Sequence, residues 1–114
     1  MLVYVGHTPK GYGWNEQELP ELSEFVNRWQ ARTAVYWYCE GAYEGCGCLL
    51  VQGPDDLWHS FDLSHCSCYG PTDRLPTELR GGLTFDLLKA GGSQAWMEED
   101  ASPLIHFLEN QVTP

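Results

Sequence analysis

The residues best equipped for chemistry lie between Tyr43 and Pro71, a stretch that holds four of the five cysteines and two of the four histidines. The thiols come as two Cys-x-Cys pairs, Cys46 with Cys48 and Cys66 with Cys68, and His65 stands just before the second pair. Thiolate and imidazole are the usual ligands of a structural zinc ion, which takes four of them in a tetrahedron. The expected ligands are Cys46, Cys48, Cys66 and Cys68, with His65 able to replace one of them. Four protein ligands leave no position for water, so such a zinc would be structural rather than catalytic. Two other fates stay open for these thiols: unmetallated burial, and a disulfide. Cys39, the fifth thiol, reads as a small buried apolar residue or an accessory ligand.

Two strands must position the pairs. Gly45–Gln52 and Leu57–Leu63 read as a β-hairpin joined by Gly53-Pro54-Asp55-Asp56, where Pro and then Asp suit a type I turn. If Gly53 opposes Asp56, Cys48 faces Phe61, Cys46 faces Leu63 and Leu50 faces His59. Cys46, Cys48, Leu50, Leu57, His59, Phe61 and Leu63 then share one face. A one-residue bulge in the turn would reverse the faces of the second strand. In the unbulged register both pairs converge at the open end of the hairpin. Spacing adds a demand. Sulfurs on one zinc lie about 3.8 Å apart, whereas residues two apart on a strand are about 6.7 Å apart. At least one pair must leave ideal strand geometry, which Gly45 and Gly47 would allow.

The same register puts His59 on the cysteine face, ahead of His65 as a base for a Cys66 or Cys68 nucleophile. This gives the alternative reading, a zinc- or thiol-dependent enzyme using His59, His65 and the cysteine cluster. The motifs of better-known catalysts are missing: no H-E-x-x-H, no G-x-S-x-G, no phosphate-cradling glycine loop, and no H-x-E with P-C-x-x-C. No residue is assigned a catalytic role.

The remaining elements frame this stretch. At 114 residues and 43% apolar content, the chain is expected to form a single domain, residues 1–114, with a modest core. Leu2–Val5 reads as a strand, and Thr8–Gln17 as a loop carrying Tyr12 and Trp14 between glycines. Leu19, Leu22, Phe25, Val26 and Trp29 recur at spacings of three and four, which predicts an amphipathic helix over 19–32. Glu24 and Arg28 are spaced for an ion pair on it. Thr33–Cys39 is a strand apolar on both sides, expected at the centre of a sheet. Thr84 caps a short helix that Gly91-Gly92 stops, and Ser102-Pro103 opens a last helix. The fold class is therefore α+β: a small, mainly antiparallel sheet with a β-hairpin at 45–63, packed against the 19–32 helix and short C-terminal helices.

Six basic residues face sixteen acidic ones, for a net charge of −10. Phosphate repels such a surface, which disfavours direct nucleic-acid binding and an anionic membrane. No apolar run approaches the ~20 residues of a membrane span, and MLVYVGHTPKG lacks the basic start of a signal peptide. The expected location is the cytoplasm, where thiols stay reduced. An acidic surface keeps a protein soluble, and it also suits docking on a basic partner.

Leu63-Ser-His-Cys-Ser-Cys-Tyr-Gly-Pro71, preceded by Tyr43-Glu44-Gly45, resembles small accessory proteins of tailed phages and prophages. Those carry a Y-E-G segment, a strand pair and then L-x-H-C-S-C-Y-G-P. The likeness covers about a quarter of the chain and implies a bacterial host cell as the setting, with no activity to carry over. Together with the charge and the surplus of rings, it points to a non-enzymatic protein that inhibits or redirects a host or defence protein with a basic surface. An anti-CRISPR-like inhibitor would be one instance. Its expected contact residues are Tyr12, Trp14, Glu98, Glu99 and Asp100. A self-associating, metal-stabilised structural module is the third reading.

Overall fold

The structure, a computed structural model, describes residues 2–5, 15–16, 19–40, 45–66, 70–90 and 102–111, and at positions 15, 16, 39, 40 and 111 it describes the backbone. The elements run β1 (Leu2–Tyr4), β2 (Asn15–Glu16), α1 (Glu21–Arg28), β3 (Thr33–Glu40), β4 (Gly45–Gln52), β5 (Trp58–Asp62), α2 (Phe85–Lys89) and α3 (Ser102–Gln111). The α+β class expected from sequence is what the chain adopts. The sheet order is β1-β3-β4-β5, with β2 paired to β3 as well. Only the β1–β3 pair is parallel among the described strands.

β3 sits at the centre because both of its faces are apolar. Ala34, Tyr36 and Tyr38 point into one buried cluster with Leu22, Val26, Trp29, Leu49, Val51 and Leu63. Val35 and Trp37 point into the other, with Cys46, Cys48, Leu50, Trp58, Leu88, Leu104 and Leu108. Helix α1 therefore covers one face, and α2 and α3 cover the other. A parallel neighbour needs a crossover, and α1 lies in the segment that carries the chain from β1 to β3. Leu19 N–H donates to the buried Tyr36 hydroxyl at 2.8 Å, which fastens the start of this crossover to the sheet. Asn15–Glu16, expected as loop, instead pairs with Glu40 and Cys39 along the β3 edge that β1 also uses.

Helix α1 is shorter than its apolar spacing suggests. Gln30 takes a left-handed conformation, φ 54°, and the chain closes with Gln30 N–H to the Asn27 carbonyl and Ala31 N–H to the Val26 carbonyl, each 3.1 Å. This double closure is a Schellman motif, which favours glycine at the left-handed position. An exposed glutamine there carries a steric cost of about 1 kcal/mol. Gln30→Gly is expected to stabilise the protein by about 0.5–1 kcal/mol, read as a higher urea midpoint at unchanged slope. A lower midpoint would contradict this reading of the helix end.

Candidate functional site

The hairpin turn decides which side chains meet. Asp56 N–H donates to the Gly53 carbonyl at 3.0 Å, closing a type I turn over Pro54-Asp55. Asp56 then adopts φ 70°, and Gly53 N–H reaches the Leu57 carbonyl at 2.9 Å. The left-handed residue inserts one position between the strands, as in a three-residue hairpin with a bulge. The register is therefore Cys48↔Asp62, Leu49↔Phe61, Leu50↔Ser60 and Val51↔His59. This corrects the register expected from sequence, in which Gly53 opposed Asp56. Every residue of β5 has changed faces.

The consequence falls on the cysteines and histidines. Cys46 is 6% exposed and Cys48 fully buried, both in the cluster covered by α2 and α3. Trp58, Ser60 and Asp62 share their side of the sheet by alternation. His59, Phe61 and Leu63 lie on the α1 side. The expected pairing of His59 with the cysteine face is thus overturned: the sheet separates its imidazole from Cys46 and Cys48. His65 continues the odd-numbered row. It pairs with Gly45 across the hairpin, and its ring stacks on Tyr38 at 6.2 Å between centroids. It also places Nδ1 3.0 Å from the Cys66 carbonyl oxygen. Cys66 is half-buried. Cys68 and the expected contact residues Tyr12, Trp14, Glu98, Glu99 and Asp100 lie outside the described residues. Among the described residues, no three His, Cys, Asp or Glu side chains converge on a point where a metal would sit.

A different feature assembles on the α1 side. His59 is only 3% exposed. A cavity of about 410 Å³ opens beside it, lined by Ser60, Phe61, Pro76, Thr77, Glu78 and Arg80. A second, of about 240 Å³, shares His59, Thr77 and Glu78 and reaches Arg28, Trp29 and the hairpin turn. The wall between sheet and helix is the 70–83 segment. Trp29 Nε1 donates to the Pro76 carbonyl at 3.1 Å, and Leu83 exchanges two backbone hydrogen bonds with Trp58, at 2.7 and 2.9 Å. Gly82 makes the close approach: at φ 130°, a Cβ there would come 2.5 Å from Leu57 Cβ and 3.4 Å from His59 Cε1. Rings form the floor, with Trp29 stacked on Phe61 at 5.5 Å and Phe61 parallel to His59 at 6.4 Å. The result is a half-open groove of mixed charge beside a buried imidazole. Sequence reading missed it. The one local signal was Gly81-Gly82 after a polar run, and nothing in that run names a partner some twenty residues upstream.

Comparison with known protein families, with curated proteins and with solved structures finds no match to this chain.

Proposed function

We propose that this chain is a non-enzymatic, acidic binding protein that occupies a basic surface on a host or defence protein, in the bacterial setting implied by the resemblance of its L-S-H-C-S-C-Y-G-P stretch to small phage proteins. The observation that carries the reading is where the cations go. Five of the six basic residues are described, and each is engaged within the molecule. Arg32 lies 2.6 Å from Asp56, and Arg80 lies 3.7 Å from Glu78. Lys89 lies between Asp86 and Glu109, at 3.8 and 3.7 Å. Arg74 donates to the Ser64 carbonyl at 3.0 Å. Arg28 stands 5.3 Å over the Phe25 ring, rather than in the ion pair its spacing to Glu24 suggested. Meanwhile Glu21, Glu24, Asp55 and Asp73 are exposed, with no cation beside them among the described residues. The excess of acid thus faces outward, where it raises association rate and selects a complementary partner.

The sheet lies between His59 and the buried Cys46 and Cys48, whereas Cys68, one of the two nucleophiles of the thiol-enzyme reading, lies outside the described residues. The test is a comparison of two baits in a bacterial lysate. One is the native chain. The other carries Glu21→Gln, Glu24→Gln, Asp55→Asn, Asp73→Asn, Glu98→Gln, Glu99→Gln and Asp100→Asn. The native chain is expected to retain a protein with a basic surface and the neutralised bait to retain at least about tenfold less of it. Equal retention by the two baits, or none by the native chain, would refute the reading.

A further inference from the structure

The groove beside His59 has two lobes of different character. The larger, about 410 Å³, has Phe61 and Pro76 in its wall and the exposed pair Glu78 and Arg80 at its rim. Those two charges stand 3.7 Å apart and offset each other. The lobe is thus an apolar wall with a ring in it, suited to a flat apolar body. The smaller lobe, about 240 Å³, shares His59, Thr77 and Glu78 with the larger.

Charge in the smaller lobe is not offset. Arg28 lines it from the end of α1, and Asp55 lines it from the hairpin turn. The Arg28 guanidinium stands over the Phe25 ring at 5.3 Å, a contact that leaves its full charge in place. Asp55 Oδ1 accepts from Leu57 N–H at 3.1 Å, which leaves the carboxylate its charge as well. Among the described residues, neither has an ion of opposite sign within 4.0 Å. Gly53 keeps this lobe open. A Cβ there would stand 3.1 Å from Asp55 Oδ1, 3.4 Å from Leu79 Cδ1 and 3.7 Å from His59 Nε2, and all three residues line the same lobe. His59 lines both lobes although it is only 3% exposed, so a buried polar ring is kept where an apolar one would cost less to bury.

A ligand that matches this pattern carries one charge of each sign at one end and an apolar body at the other. It has no net charge, because a chain of net charge −10 repels anions at long range. We infer that the groove binds a free α-amino acid with an aromatic side chain. The α-carboxylate meets the planar donor fork of Arg28, and the α-ammonium meets the Asp55 carboxylate. The aromatic side chain lies in the larger lobe against Phe61 and Pro76. That lobe falls within the ~300–1,000 Å³ usual for small-molecule sites. Binding here needs no protein partner.

The experiment is isothermal titration calorimetry of the native chain with L-phenylalanine and with L-tryptophan. At least one is expected to bind with a dissociation constant below about 1 mM. Three analogues are expected to bind at least about tenfold more weakly: the N-acetyl derivative, which lacks the cation, the amide, which lacks the carboxylate, and L-alanine, which lacks the ring. Arg28→Gln and Asp55→Asn are each expected to weaken the amino acid at least about fivefold. Both positions are exposed, and asparagine keeps the oxygen that Leu57 N–H uses. Should either variant fail to fold, the analogue series on the native chain gives the same decision. No saturable binding of either amino acid up to about 5 mM would overturn the assignment. So would equal affinity for any of the three analogues, or unchanged affinity in folded Arg28→Gln or Asp55→Asn.

Discussion

Trp37→Ala is expected to cost about 3–5 kcal/mol, since Trp37 is the largest fully buried side chain among the described residues. Trp37 is fully buried in the central strand. It lies in the cluster that joins β4 to α2 and α3, with Cys46, Cys48, Leu50, Trp58, Leu88, Leu104 and Leu108 around it. Removing the indole leaves a cavity that both helices border, and a sheet anchored on both sides cannot collapse to fill it. A domain of this size is stable by only about 5–15 kcal/mol, so the variant should melt more than about 10 °C lower. Urea unfolding measures the loss as a fall in midpoint at constant slope. A loss below about 1 kcal/mol would mean that α2 and α3 do not rest on this face.

Gly47→Ala should be nearly as damaging, for the opposite reason. A Cβ at Gly47 would come 2.5 Å from the Trp37 carbonyl oxygen, 2.9 Å from Tyr38 Cδ1 and 3.2 Å from Tyr38 Cα. Two of these atoms are backbone in the partner strand, so no rotamer change relieves the contact. The β3–β4 pair must part where Tyr38 faces Gly47, at a cost of about 3 kcal/mol. Gly70→Ala is the control. The three described atoms nearest its Cβ would all belong to Asp73, at 3.4 Å or more, and the change should stay within about 0.5 kcal/mol. Equal effects of the two substitutions would show that the close approach at Gly47 is not a constraint on the sheet. The glycine between the first two thiols thus makes room for the Tyr38 ring, whereas its spacing had suggested freedom to bend the strand around a metal.

Much of the architecture was legible in the chain. The apolar spacing of Leu19, Leu22, Val26 and Trp29 marks a face that does pack on the sheet. The two-sided apolar run of Thr33–Glu40 marks the central strand, and Thr84 caps α2 by accepting from Leu87 N–H at 3.3 Å. These signals are local, and tertiary packing agrees with them. The register was not legible, because it turned on one dihedral. Asp56 in a left-handed conformation is sterically open to aspartate but not demanded by it, and a single inserted residue exchanges the faces of His59, Phe61 and Leu63 with those of Trp58, Ser60 and Asp62. Sequence therefore identified the thiols while misplacing the histidine beside them. The groove at His59 was invisible for another reason. It forms where the end of α1, the hairpin turn and residues 77–81 meet, and contacts between such distant segments leave no local periodicity to read.

If the outward acid excess recognises a basic partner, titrating the native chain against the protein it captures, at salt rising from about 50 to about 500 mM, reads it out, because the screening length falls several-fold over that range. The dissociation constant is expected to rise at least about tenfold over that range, through slower association more than faster release. An affinity indifferent to salt would contradict the account and place recognition on apolar contacts instead.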